Sequence, residues 1–273
     1  MRILKYICFA LIAVLLIGSF GYTFWLRDRY VVPVLTYHHV GIPSTKWRLL
    51  TVSSQSFEYQ MNFLKRHGFH VISFEDLVEG IKVGRQFVRN TVVIQFDDGY
   101  EDNYKYAYPI LKKYGFPAMV FLVSSKIGTP GFLTWDEVKE MEKDNFLAGA
   151  HTRHHPYLPS LTMVQAQDEI TGSKKEIEDH LGHSINYFAY PTGGFSSDVK
   201  RWVKEAGYKA AVTTNRGKDR FNVDPYELKR IHMSSTDDQY SGLILWFKFS
   251  GYYNLFRHFK KPGGPQHQRA LYE

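Results

Sequence analysis

Cysteine is nearly absent from this chain of 273 residues: Cys8 is the only one, inside an apolar stretch near the amino terminus. That excludes a disulfide-stapled secreted domain, and Cys8 also sits too early for a lipoprotein cysteine. No linker long enough to split the chain is present, and no low-complexity run precedes the tail. A single domain is expected, and α/β barrels often occupy this length as one unit. The formal net charge is +7, but no recognition motif accompanies it, so nucleic acid is not expected as a partner. The 19 Tyr and 20 Phe are numerous. They suit sugar or base stacking and core packing equally, and decide nothing alone.

Both ends of the chain carry distinct chemistry. Arg2 and Lys5 precede Tyr6 to Leu26, an uncharged apolar run about long enough to cross a bilayer. No small-residue cleavage site follows, which predicts an uncleaved signal anchor with Tyr22 and Trp25 at the far interface. Arg27 and Arg29 nearly balance Arg2 and Lys5, so charge alone barely orients it. At the other end Lys248, Arg257, Lys260, Lys261 and Arg269 are interspersed with Trp246, Phe247, Tyr252, Tyr253 and Phe256. This reads either as a solvated tail or as a segment attracted to an anionic wall polymer or lipid headgroups.

Between the ends one pattern recurs: a helical apolar stripe, Gly or Asn, an aromatic, then a short apolar strand. It appears at Gly68-Phe69, Gly115-Phe116, Asn145-Phe146 and Gly207-Tyr208. Gly and Asn close a helix in the left-handed conformation, and the aromatic packs the turn. Phe57, Met61 and Leu64 share a helical face, as do Tyr104, Ala107, Tyr108 and Leu111. Thr162 and Gln165 read as a capping box, Gly182 ends that helix, and Ser197 is a candidate cap for the next. About eight short strands separated by helices imply a parallel sheet closed into a barrel, with chemistry at the strand C-terminal ends.

Two clusters fall at such ends. Thr91 to Phe96 is a β-branched, apolar strand that runs into Asp97-Asp98-Gly99. Two buried carboxylates need a positive partner, since burying either alone costs several kcal/mol. Leu147 to Ala150 likewise runs into His151-Thr152-Arg153-His154-His155-Pro156. A divalent metal held by one carboxylate and two imidazoles satisfies both clusters and leaves the other carboxylate as a base, which outlines a hydrolase. Spacing does not choose between His154 and His155.

These motifs, with Phe188-Ala189-Tyr190-Pro191-Thr192-Gly193, resemble the polysaccharide deacetylases, the NodB-homology domain of carbohydrate esterase family 4. Pro33 to His39 and Asp224 to Ile231 resemble its membrane-associated, exported branch, which includes enzymes acting on poly-N-acetylglucosamine. The resemblance implies a distorted (β/α) barrel at 31–240; the end segments read above make 1–30 an anchor with one transmembrane helix and 241–273 an aromatic, basic tail. It implies Asp97 as general base, Asp98, His151 and His155 as ligands of a divalent ion (Zn²⁺, with Co²⁺ or Ni²⁺ as alternatives), and His232 as general acid, with His38 or His39 as competitors. Tyr190, Pro191 and Thr192 would form the substrate and oxyanion wall. The expected activity is removal of N-acetyl groups from an extracellular glycan, against the rivals of O-acetyl ester hydrolysis or non-catalytic glycan binding. Two departures stand out: Arg230-Ile231-His232 is only the nearest counterpart of the Leu-x-His motif that often supplies the acid, and Ala189 occupies the place where the family often has an Arg that orients the base. Another residue must hold Asp97, and Arg230 and Arg153 are the candidates.

Overall fold

The computed structural model describes Gly21 and residues 30–42, 49–215, 222–234 and 242–253. In chain order its first elements are β1 (Val34–Tyr37), β2 (His39–Gly41), β3 (Thr51–Ser53), α1 (Ser54–Arg66), β4 (His70–Val71), α2 (Phe74–Lys82) and β5 (Thr91–Asp98). A π-helical turn (Asn103–Ala107) leads into α3 (Tyr108–Tyr114), followed by β6 (Ala118–Leu122), α4 (Trp135–Glu142), β7 (Phe146–Ala150) and α5 (Met163–Leu181). Then come β8 (Tyr187–Ala189), α6 (Ser197–Glu205), β9 (Ala210–Thr213), β10 (Leu228–Lys229), β11 (Ile231–His232) and α7 (Gly242–Phe249).

The main sheet is parallel, in the order β10-β9-β8-β7-β6-β5-β1-β11, with β4 paired beside β5. Its two edges are halves of one segment. Leu228–Lys229 pairs with β9, Ile231–His232 pairs with β1, and Arg230 is the residue between them. The result is a nearly closed (β/α) barrel. β2 and β3 form a separate two-stranded pair beside it.

Strand alternation sorts the apolar residues into two clusters. Leu35, Ile94, Val120, Ala148, Phe188 and Ala211 pack outward against Met61, Leu111, Val138, Ile177 and Val203 of the helices. Val34, Val93, Met119, Phe121, Ala189, Val212 and Leu228 point inward, where Phe74, Leu77 and Val78 of α2 join them. α2 therefore plugs the N-terminal end of the barrel. Ser73 caps it by accepting from the Asp76 N–H.

Local signals and structure agree at several places. The Thr162–Gln165 capping box is present, and Gly182 and Gly115 take the left-handed conformation at helix ends. Three details differ. The cap of α6 is Ser196, one residue before the expected Ser197. The helix expected through Tyr104 to Leu111 begins as a π-helical turn, because buried Asn103 turns inward to donate to the His38 carbonyl at 2.8 Å. Residues 242–249, grouped with the tail by composition, form α7 and bury Leu245 and Phe249 against the barrel. The anchor run 6–26 (Gly21 apart) and tail residues 254–273 lie outside the described residues. Among those described, no helix is long and apolar enough to cross a membrane.

The plug gives a stability test. Phe74 is buried edge-on to Tyr187 and Phe121, with ring centroids at 5.0 and 6.3 Å. Phe74→Ala is expected to cost about 3–5 kcal/mol, read as a lower urea midpoint with an unchanged m-value.

Candidate active site

The site lies at the C-terminal mouth of the barrel, on β5, the loop after β7 and the segment β10–β11. Alternation along β5 puts Gln95 and Asp97 on the inner face, and Asp98 would then point outward. It does not, because Asp98 adopts φ = 73° and leaves the strand's pleat. Its carboxylate meets the two imidazoles, with Oδ1 3.6 Å from His151 Nε2 and 3.5 Å from His155 Nε2.

This spacing fits a metal ion. Two donor atoms each about 2.1 Å from a tetrahedral ion are about 3.4 Å apart. One ligand atom from each of Asp98, His151 and His155 lies within 4.8 Å of the others. The second Asp98 oxygen is buried without a hydrogen-bond partner. His151 Nδ1 lies 2.7 Å from the Ala189 carbonyl; donating there leaves the Nε2 lone pair for a cation. Burial lowers the His151 pKa to about 4, so the ring is neutral near pH 7, as a ligand must be. A cation with three protein ligands and open positions suits this pocket.

The competing residues of the histidine motif are engaged elsewhere. Glu169 accepts from the backbone N–H groups of Arg153 and His154 at 2.9 Å each, and its other oxygen lies 2.7 Å from His154 Nδ1. Arg153 pairs with Asp168 at 2.9 Å and Glu176 at 2.7 Å. Both partners lie on α5, so this network ties the motif loop to a helix. The loop is strained: Thr152 and His155 have φ of 65° and 62°.

Asp97 is held by Arg230. The guanidinium donates from both terminal nitrogens, at 2.6 and 2.7 Å, and both side chains are buried. Burial alone would raise the Asp97 carboxyl, but Arg230 overrides it, helped by His151 and His38, and holds the group well below the usual carboxylate range. A parity signal in the sequence points to this pairing: Leu228, Arg230 and His232 alternate with Lys229 and Ile231, which puts a cation on the inner face.

Two imidazoles flank this pair. His38 is buried with Nε2 3.9 Å from Asp97 Oδ2, and burial pushes its pKa down to about 3. His232 meets it edge to face at 5.2 Å, and its Nε2 lies 3.0 Å from the Leu49 carbonyl. His39 points elsewhere, with Nδ1 2.6 Å from Asp102 and its ring stacked on Tyr100. In the third motif, Tyr190 is fully buried and donates to the Tyr226 carbonyl, so its side chain serves packing. Pro191 is buried and Thr192 has φ = 54°. Gly193 is required there, because a Cβ would lie 2.8 Å from the backbone nitrogens of Thr214 and Asn215.

The sequence profile of the polysaccharide deacetylases matches residues 84–211. YxkH of Bacillus subtilis (strain 168), named for the same family, is 31% identical over 203 residues, covering 74% of this chain and 71% of that protein. The chain belongs to the polysaccharide deacetylase family. Another relative, the poly-beta-1,6-N-acetyl-D-glucosamine N-deacetylase of Staphylococcus aureus (strain MRSA252), is 30% identical over 208 residues, 71% of each chain. Among solved structures, the Streptococcus pyogenes deacetylase PplD in complex with acetate superposes with a TM-score of 0.73 at 27% identity, covering 80% of this chain and 97% of that one. IcaB from Ammonifex degensii has the same fold, with a TM-score of 0.70 at 22% identity over 79% of this chain and 97% of its own. This chain is accordingly a deacetylase, a hydrolase whose mouth carries a cluster able to hold a metal.

The Asp97–Arg230 pair predicts a pH-dependent stability. Arg230→Met leaves a buried carboxylate without its counter-charge, at an expected cost of about 3–5 kcal/mol near pH 7. In the wild type the folded pKa is depressed, so the pair stabilises above the unfolded carboxylate range and is lost only as pH falls through the folded value. In Arg230→Met burial raises the folded pKa instead, so the stability gap to wild type should narrow on acidification. Urea midpoints across pH measure this, and Asp97→Asn in the Arg230→Met background should recover part of the loss at pH 7.

Proposed function

We propose that this protein is a metal-dependent N-deacetylase acting on an N-acetylglucosamine-containing glycan outside the cytoplasm, held to the membrane by the apolar run 6–26. The observation that carries the reaction is the juxtaposition at the barrel mouth: three ligand atoms spaced for one cation, beside a second carboxylate kept ionised by Arg230. The relative that acts on poly-β-1,6-N-acetylglucosamine supports the substrate class. That class supports an extracellular location, since such polymers belong to walls and matrices.

A divalent ion bound by Asp98, His151 and His155, Zn²⁺ by donor preference with Co²⁺ or Ni²⁺ as substitutes, would lower the pKa of a water and polarise the acetamide carbonyl. Asp97 takes the proton from the attacking water, and its two bonds to Arg230 fix the direction from which it does so. The Thr192 backbone N–H, in the positive-φ turn after Pro191, is the nominated donor to the developing oxyanion. The departing amine takes its proton from His232, since burial keeps the neighbouring His38 neutral, and acetate and the free amino sugar are the products. Tyr190 and Pro191 shape this wall through the backbone.

Acetate release from poly-N-acetylglucosamine, with chitin oligomers, peptidoglycan and acetylated xylan alongside, tests the reading. Activity on an amide substrate should vanish with chelator and return with Zn²⁺ or Co²⁺. Asp97→Asn should lower kcat about 10²-fold or more while the metal content stays at wild type, whereas Asp98→Ala should lose both. Release from O-acetyl esters alone would overturn the amide assignment. Metal retention with no acetate from any substrate would leave a glycan-binding role.

The proton donor is tested separately. His232→Asn and His38→Asn should each lower kcat, by about 10²-fold at the donor itself, with KM little changed. Full activity in both variants would remove the pair from the reaction.

A further inference from the structure

The N-terminal end of the barrel, opposite the catalytic mouth, gathers features that the reaction does not use. Both ends of the described chain meet there. The Val31 N–H donates to the Gly251 carbonyl at 3.1 Å, and Tyr30 lies edge to face with Tyr252 at 5.9 Å. The Tyr30 hydroxyl is 2.9 Å from both the N–H and the carbonyl of Thr91, pinning the chain to the first residue of β5. Three residues separate Tyr30 from the apolar run ending at Leu26. Four extended residues reach at most about 14 Å. Tyr252, near the last described residue, lies at this end as well.

A cavity of about 800 Å³ opens at the same place, walled by Tyr30, Leu77, Ile81, Arg85, Phe87 and Arg89. Arg85 and Arg89 are exposed, and neither forms a salt bridge among the described residues. Val83 and Val88 on the same loop are 71% and 67% exposed. Apolar side chains alternating with unpaired cations around a cavity suit an anionic amphiphile. The acids of α2, Glu75, Asp76 and Glu79, lie towards Tyr187 on another sector of this end.

We infer that the loop 83–89 and the cavity beside Tyr30 form the surface on which the barrel rests against the membrane, with anionic phospholipid headgroups at Arg85 and Arg89. This rests on the anchor reading of residues 6–26. The acids of α2 set the resting orientation, because the cationic sector lies down and the acidic sector tilts away. Thr91 bonds to Tyr30, and Asp97 is six residues further along the same strand, about 20 Å. The catalytic mouth therefore opens away from the bilayer, towards polymer in the surrounding space.

The full chain in vesicles tests this. In a Cys8→Ser background, an environment-sensitive fluorophore is placed at Val88→Cys or at Lys126→Cys, an exposed position just past the C-terminal end of β6. The vesicles combine phosphatidylglycerol and phosphatidylcholine with doxyl-labelled lipid. Quenching at position 88 should exceed that at 126 by about fivefold, and Arg85→Glu with Arg89→Glu should cut it at least about threefold while acetate release from a soluble substrate is unchanged. Equal, weak quenching at both positions, in protein that floats with the vesicles, overturns the docking surface and leaves the anchor standing. Protein that does not float overturns both.

Discussion

The buried ion pair between Asp97 and Arg230 is the constraint on which the rest of the architecture depends. Arg230 sits where one segment changes partners, from β9 on one side to β1 on the other. The guanidinium can reach β5 only because that exchange closes the ring of strands. Closure removes both charges from water, and two short hydrogen bonds offset the desolvation. The pair thus couples topology to chemistry: the contact that closes the barrel also keeps a carboxylate ionised at its mouth.

Around this pair the backbone is held in left-handed conformations by residues ill suited to them. Among the described residues, seven non-glycine residues have positive φ, and three of them are asparagines, which tolerate it. The remaining four are Asp98, Thr152, His155 and Thr192, all at the site. Each such residue costs on the order of 1–3 kcal/mol, so the surroundings must enforce it. For the histidine motif the enforcement is visible: Glu169 accepts from successive backbone N–H groups, and Arg153 reaches two acids of α5. His154 is consumed by the same scaffold, which is a physical reason why His155 faces Asp98.

Much of this was legible in the sequence because it is local. Capping boxes, left-handed helix ends and the apolar strands that run into Asp97 and His151 depend on neighbours within a few residues. The paired carboxylates demanded a cation, but its source, 133 residues away, is a property of closure. Strand parity narrows the choice to Arg230 over Arg153 once strand limits are known. The π-helical turn, the plug α2 and the docked helix α7 were hidden for a related reason. Asn103 departs from a good helical stripe to meet a distant carbonyl, and α7 reads as tail until its partners on the barrel are in place.

The plug at the N-terminal end has a further consequence. Phe74, Leu77 and Val78 fill the barrel floor, and Phe121, Val93 and Met119 pack the lumen above them, so the ring of strands is a cup and not a conduit. The glycan polymer proposed as substrate would lie across the rim, and the small carboxylic acid cut from it would depart by the opening the polymer covers. On that reading turnover on long chains would include a sliding or lifting step, which short soluble analogues would escape.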